Sequence, residues 1–248
     1  MDATTTAFVE GADLPDLDAA RRDPALGESG RALIEALLAR DAAKVEAALA
    51  RDPKLTGTRA GGTTLAELAV AIGDAELLDA MLAQGVSPDA DADGVPLILA
   101  LHATVPDLAF VLLRAGASPT PASAALEPFR AAIALGSPAG VQLLLDHGAD
   151  PDVVGPLGRR PLHVALDMEQ FDIAELLLKC GADPWALDAS GANLATAATT
   201  PMLSGSLHNA VAQARLRERV RAMGWPEPFP APAELVALAA AGTWPPRV

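Results

Sequence analysis

A four-residue segment that begins with glycine and ends with proline recurs along the chain, and its regular spacing constrains the fold more than any other feature. The segment reads GVSP at Gly85–Pro88, GASP at Gly116–Pro119, and GADP at both Gly148–Pro151 and Gly181–Pro184. The intervals are 31, 32 and 33 residues, and each segment follows an aliphatic run such as VQLLLDH. Periods of roughly 20–50 residues are typical of stacked structural repeats. We call these segments the repeat marks.

Each interval contains two helical patterns. The second has apolar residues three and four positions apart, for example Leu77, Leu78, Met81 and Leu82, which is the spacing of one helix face. The glycine of the following mark permits the left-handed conformation that ends a helix. The first pattern opens with a threonine or proline before an apolar run, as in GTTLAELAV at 62–70 and GRRPLHVAL at 158–166. The sequence therefore predicts helix-turn-helix units.

The unit at 158–185 resembles the ankyrin repeat, because Pro161, Leu162, His163 and Ala165 follow the family's G-x-T-P-L-H-x-A-A opening. The resemblance implies an all-α ankyrin-repeat solenoid of about six helix-turn-helix units, with short loops or β-turn fingertips and atypical terminal caps. It also implies a structural hydrogen bond from His163 to a neighbouring loop. The expected organisation is an N-terminal extension at 1–29, units at about 30–57, 58–89, 90–120, 121–152, 153–185 and 186–226, and a C-terminal capping tail at 227–248.

The composition argues against several classes of partner and compartment. The chain has 18 basic and 32 acidic residues, a net charge of −14, which repels nucleic-acid phosphates and anionic lipids. The acidic start does not resemble a secretory signal, and apolar runs fall short of the roughly 18–20 residues that span a bilayer. A single cysteine, Cys180, is consistent with a reducing compartment. We expect a cytoplasmic protein, and the scarcity of lysine indicates a GC-rich, bacterial coding sequence.

No motif predicts a metal, a cofactor or catalysis. The acidic segment from Asp89 to Gly94 matches the start of a calcium loop, but the twelfth position is Ala100 where a glutamate is required. We interpret the segment as an exposed acidic fingertip. The four histidines lack metal-ligand spacing, and phosphate-loop, nucleophile-elbow and dinucleotide motifs are absent from the sequence. We therefore expect a protein that is not an enzyme.

The ankyrin resemblance implies a concave binding face that is formed by the ends of the first helices and by the loops. Three apolar positions on this face, Ile72, Leu135 and Met168, are expected to form an exposed apolar stripe. The complete set of expected partner-binding residues is Ile72, Asp91, Asp93, His102, Leu135, Leu157, Arg159, Asp167 and Met168. Acidic fingertips beside the stripe favour a partner with a basic surface.

These observations favour a non-enzymatic module that binds, inhibits or scaffolds one partner protein. A concrete version is an immunity or antitoxin-like protein that neutralises a basic toxin. The alternative is a regulatory or accessory subunit of an enzyme, or an enzyme with an unrecognised site around His163, Asp167 and Arg159, which requires His163 to face outward. Two other features stay open: Arg215–Arg221 and the pair Trp225 and Trp244 are either parts of the terminal cap or a second contact site.

Overall fold

The computed structural model describes residues 14–89, 94–103, 107–203 and 205–245. The chain divides into two compact units, Met1–Ala124 and Ala125–Val248. Within the described residues the secondary structure is almost entirely helical, with one short antiparallel hairpin. The all-α class and the stacked helix-turn-helix units predicted from the sequence are confirmed.

The N-terminal unit contains seven α-helices among its described residues. Consecutive helices pack in pairs, α2 with α3, α4 with α5 and α6 with α7, and the pairs stack through α4 on α6 and α5 on both α3 and α7. Two-residue strands β1 and β2 form the hairpin before α4. The elements are α1 (Leu17–Arg22), α2 (Glu28–Leu38), α3 (Ala42–Arg51), a 3-10 helix (Pro53–Gly57), β1 (Arg59–Ala60), β2 (Thr63–Thr64), α4 (Leu65–Ile72), α5 (Ala75–Ala83), α6 (Val95–Leu101) and α7 (Asp107–Arg114).

The C-terminal unit repeats the same arrangement. Helices α8 and α9, α10 and α11, and α12 and α13 form pairs, and both the first helices and the second helices of the pairs pack on one another. The elements are α8 (Glu127–Ala134), α9 (Pro138–Asp146), a 3-10 helix (Pro156–Gly158), α10 (Pro161–Asp167), α11 (Phe171–Lys179), α12 (Leu194–Thr199), α13 (Leu207–Ala222) and α14 (Pro232–Ala240).

The glycine that begins every repeat mark ends a helix in the left-handed conformation. The φ angles are +91° at Gly85, +96° at Gly116, +86° at Gly148 and +98° at Gly181. Side chains other than that of glycine are strained at such angles, which explains why the mark begins with glycine at each turn of the repeat. The helix end predicted at the marks is confirmed.

Several helix starts are fixed by polar side chains that accept hydrogen bonds from backbone N–H groups without a partner in the helix. Thr64 and Glu67 form a reciprocal capping box at the start of α4. Asp74 accepts the Leu77 N–H at 3.0 Å at the start of α5, and Asp41 accepts the Lys44 N–H at 3.1 Å at the start of α3. Each cap satisfies a donor that the helix itself cannot pair.

Part of the N-terminal extension packs against the first pairs. Helix α1 contacts α2, and Asp23 in the loop between them accepts the backbone N–H of Gly61 at 2.7 Å. These amide hydrogen bonds, from Gly61 and from Ala25, lower the pKa of the Asp23 carboxyl. The segment from Leu17 is therefore tied to the hairpin by hydrogen bonds.

Three tryptophans from distant parts of the C-terminal unit form one cluster. Trp185 stacks on Trp225 with ring centroids 5.0 Å apart, and Trp244 lies 5.6 Å from Trp185 and 5.0 Å from Trp225. The Trp244 indole N–H donates to the Trp185 carbonyl at 3.0 Å. The buried indole nitrogen of Trp225 has no hydrogen-bond partner within the described chain. The tail is thus attached to the last mark through aromatic contacts.

Candidate partner-binding site

Leu135 and Met168 lie directly after the last residues of α8 and α10, the first helices of two pairs. Leu135 is half-buried, and Met168 is 41% exposed. Both residues are helix C-caps, so their side chains lie at the rim of the helix layer. Both side chains are therefore partly accessible to solvent, although neither is fully exposed.

Ile72 does not belong to the exposed apolar stripe that the sequence predicted. Its side chain is only 4% exposed, so the prediction that Ile72 is solvent-exposed is wrong. The reason is that α4 packs against α5, α6 and the hairpin, and seven of its eight residues are buried. The Ile72 carbonyl accepts a hydrogen bond from the Arg40 guanidinium at 2.6 Å, so the Arg40 side chain also lies against the end of this helix.

Of the three other residues expected to bind the partner in the N-terminal unit, the structure describes His102. His102 caps α6 and is half-buried beside the buried Ala103. Asp91 and Asp93 lie outside the described residues, as does most of the acidic fingertip. Asp89, the first residue of that fingertip, accepts the Ser118 backbone N–H with both carboxylate oxygens at 3.0 Å.

In the C-terminal unit, a loop and a helix end come together at Arg159 and Asp167. The Arg159 guanidinium donates to the Asp167 carboxylate and joins the start of α10 to its end. Leu157, two residues before Arg159, is 74% exposed and has a φ of +59°. Met168 directly follows Asp167, so the ion pair joins the two segments that carry the exposed apolar residues Leu157 and Met168.

His163 is a structural residue. Its Nδ1 accepts the Arg160 N–H at 3.1 Å, and its Nε2 donates to the Ala186 carbonyl at 3.3 Å. The side chain is buried, and burial lowers its pKa, so the neutral form is favoured. The structural hydrogen bond implied by the resemblance is present. Because both ring nitrogens bond the backbone, His163 does not face outward as the enzyme alternative requires.

Asp167 also lies on the rim of a cavity that the sequence did not predict. Its volume is about 220 Å³, and it is partly open to solvent. The walls come from the ends of α10 and α12, the start of α11, the middle of α13 and residues 200–203. Residues 200–203 belong to TTPMLSGSLH at 199–208, about ten residues of the last unit that have no counterpart in the units before it. We call these residues the extra segment. They are the one sequence feature that could have pointed to the cavity.

Comparison with known proteins identifies the family of the repeats. A model described as ankyrin repeats (3 copies) matches residues 123–188. Residues 123–188 carry ankyrin repeats. Its fold is similar to the crystal structure of the ankyrin repeat domain of Bcl-3, described as a unique member of the IkappaB protein family, with a TM-score of 0.62, 21% identity, and coverage of 84% of this chain and 97% of that one. At this identity the likeness shows the fold. No curated protein sequence matches the chain.

Ankyrin repeats are protein–protein interaction modules. Within the described parts of this ankyrin-repeat chain, no group of three His, Cys, Asp or Glu side chains is placed to hold a metal ion. Cys180 is an exposed free thiol. Every helix in the same residues is too short or too polar to cross a membrane.

The arginines of α13 are partly engaged within the unit. Arg217 donates to the Ala198 carbonyl at 3.1 Å, and Arg221 donates to both Glu218 and Glu227 at 2.7 Å. These bonds raise the pKa of the Arg221 guanidinium, mainly through Glu227. The contacts favour the interpretation of this helix as part of the terminal cap.

Proposed function

We propose that this ankyrin-repeat chain is a non-enzymatic module that binds one partner protein with a basic surface and inhibits, sequesters or scaffolds it. The observation that carries the proposal is that two exposed apolar residues, Leu157 and Met168, lie on segments joined by the Arg159–Asp167 ion pair in the C-terminal unit. Exposed apolar side chains provide contact area for a partner.

The net charge of −14 supports a basic partner. A field of this sign speeds the association of a positively charged protein and disfavours nucleic acid and anionic lipid surfaces. One specific form of the proposal is a bacterial immunity or antitoxin-like protein in the cytoplasm that neutralises a basic toxin such as a nuclease. This form rests on the acidity of the chain and on the ankyrin-repeat scaffold.

The test begins with affinity purification of the tagged chain from its native cells and identification of the partner by mass spectrometry. The purified partner is then titrated calorimetrically against the wild type and against the double variant Leu157→Asp, Met168→Asp. We expect the double variant to bind at least about tenfold more weakly, because the loss of two apolar contacts costs more than about 1.4 kcal/mol.

The matched control is Val211→Asp, since Val211 is 45% exposed and apolar but lies on α13, the second helix of its pair. This variant should bind like the wild type. An unchanged affinity in the double variant excludes the proposed surface. A partner with an acidic surface contradicts the electrostatic part of the proposal.

A further inference from the structure

The C-terminal helix α14 is apolar on nearly every side, yet most of its surface is accessible. Glu234 is the one charged residue among its nine, and Leu235 is the one that is buried. Val236 is 39% exposed, and the alanines of the helix are exposed as well. A helix that is apolar all round is normally covered by protein on every side. Helix α14 therefore exposes apolar surface that is available to a binding partner.

The start of α14 is packed tightly against the loop before α12. Gly191 in this loop is buried and has a φ of +82°, and a Cβ atom at this position would lie 2.3 Å from the Pro232 carbonyl oxygen. A side chain at position 191 would therefore push the helix away. Leu235, three residues after Pro232, is fully buried. These contacts give α14 a defined position on the loop.

The loop beneath α14 is also joined to the loop that carries Leu157. The Leu157 carbonyl accepts a hydrogen bond from the Ala189 N–H at 2.8 Å. This bond brings Leu157, a residue of the proposed binding surface, close to the tail. An open groove of about 310 Å³ lies there, and its lining residues are Leu157, Gly158, Leu187, Asp188, Ala189, Val236 and Ala239.

The walls of this groove are mainly apolar. Five of its seven lining residues are leucine, valine or alanine. Asp188 is the one charged residue among the described residues of the lining, and its Oδ1 is bound to its own loop. That oxygen accepts hydrogen bonds from the N–H and hydroxyl of Ser190 and from the Ala192 N–H. The groove therefore suits an apolar side chain better than a polar one.

The charge of the chain distinguishes between two occupants of the groove. Two copies of the chain repel each other, because each carries a net charge of −14. A partner with a basic surface is attracted by the same charge. Because Leu157 belongs both to the groove and to the proposed binding surface, a partner in contact with Leu157 also lies at the edge of the groove.

We infer that α14 is part of the partner-binding surface, and that the groove takes one bulky apolar side chain of the partner, such as a leucine. Contact of that side chain with Leu157 and Val236 removes apolar surface of both proteins from water. The inference rests on the proposed function and extends its surface from the repeats to the C-terminal tail.

The first test needs no partner protein. Nα-acetyl-leucine amide is titrated into the ¹⁵N-labelled full chain and followed by two-dimensional NMR. We expect saturable shifts of the Gly158, Ala189 and Val236 backbone amides at millimolar probe, since one side chain supplies little affinity. Nα-acetyl-asparagine amide has nearly the same shape with a polar end and should bind about tenfold more weakly. Equal affinity of the two probes, tighter binding of Nα-acetyl-lysine amide, or no shift overturns the apolar groove.

Three variants of α14 locate the probe. Val236→Asp places a charge in the groove and should abolish the shifts. Ala237→Asp adds the same charge about 100° further around the helix, at an exposed position outside the lining, and should leave the shifts unchanged. Ala239→Met narrows the groove without a charge and should also abolish them. Thermal unfolding shows that each variant is folded. Undiminished shifts in Val236→Asp or Ala239→Met overturn the inference.

The purified partner is then titrated calorimetrically against the same variants. Val236→Asp should weaken binding at least about fivefold, and Ala237→Asp should not change it. If Val236→Asp binds like the wild type while the variant Leu157→Asp, Met168→Asp binds weakly, the tail does not belong to the surface and the proposed function stands. If neither variant weakens binding, both proposals fail. A wild-type dimer in sedimentation that Val236→Asp dissociates assigns the groove to a second copy and overturns the inference.

Discussion

Both carboxylate oxygens of Asp152 lie 3.0 Å from the backbone nitrogen of Asp183 and accept its N–H. Asp89 holds the backbone of Ser118 in the same way in the N-terminal unit. In each case the aspartate follows the proline of a repeat mark, and the amide belongs to the third residue of the next mark. These hydrogen bonds therefore connect successive repeats at their loops and fix the spacing of the marks.

Replacement of Asp152 by alanine should destabilise the C-terminal unit. The variant leaves the Asp183 amide without its acceptor and takes one carboxylate from Arg160, which donates to Asp152 at 3.1 Å and to Asp183 at 3.3 Å. We expect a loss of about 1–2 kcal/mol in the free energy of unfolding, reduced from the buried case because these side chains are partly exposed. Urea denaturation followed by circular dichroism measures it.

Asp152→Asn keeps one acceptor oxygen and should lose less stability than Asp152→Ala. Asp146→Ala is the charge-matched control, because Asp146 is exposed and, among the described residues, its side chain bonds only Gln142, four residues earlier in the same helix. Equal stability of the Asp152→Ala and Asp146→Ala variants would show that the repeat-to-repeat hydrogen bonds contribute nothing measurable.

The variants Ile72→Asp and Met168→Asp should differ strongly in their effect on folding stability. Ile72→Asp places a charge in a site that is 4% exposed, and we expect it to cost at least about 3 kcal/mol. Met168→Asp changes a residue that is 41% exposed and should alter stability by less than about 1 kcal/mol. Thermal unfolding compares the two. Similar melting temperatures would contradict the burial of Ile72.

Acidification from about pH 7.5 to about pH 5 should destabilise the chain partly through His163. Burial lowers the pKa of this imidazole below its ordinary value of 6.5, so the unfolded chain takes up a proton at a higher pH than the folded chain does. Its contribution to stability is complete above the unfolded pKa and falls as the pH drops through the folded pKa. The carboxyls of Asp23, Glu35 and Asp41 have lowered pKa values, so their contributions to stability are lost at lower pH than that of His163.

The variant His163→Gln isolates this effect. It should be less stable than the wild type at about pH 7.5, because two hydrogen bonds to the backbone are weakened, but it should lose less stability on acidification. The other histidines are shared by both proteins, so their contributions cancel in the difference. Parallel pH profiles of the unfolding free energy would rule out a role for His163.

Trp244→Ala should cost about 2–3 kcal/mol, because it removes a half-buried ring from contact with Trp185 and Trp225. Trp244→Phe keeps an aromatic ring but loses the N–H that donates to Trp185, and should cost about 1 kcal/mol. Chemical denaturation followed by circular dichroism measures both. If neither variant changes stability, the tail does not act as a cap.

The periodic part of the fold could be predicted from the sequence because local chemistry determines it. Each mark combines a glycine that requires a positive φ with a proline that cannot continue a helix, and the helix faces follow from apolar spacing. The position of His163 followed from the family motif. These features depend on residues close together in the chain.

Burial and cavity formation depend on contacts between distant segments, which explains what the sequence did not predict. Ile72 follows the same pattern as Met168, yet α4 is covered on several sides and buries it. No sequence pattern distinguishes Gln213 from the other polar residues of its arginine-rich helix. Only the meeting of α10, α12, α13 and the extra segment makes its amide part of a cavity wall.

The aromatic cluster also gives the chain an unusual optical property. The sequence contains three tryptophans and no tyrosine, and all three tryptophans lie together in the C-terminal unit. Intrinsic fluorescence therefore reports on that unit alone, whereas far-ultraviolet circular dichroism averages over the helices of both. A difference between the two unfolding curves would show directly whether the halves of the chain melt independently.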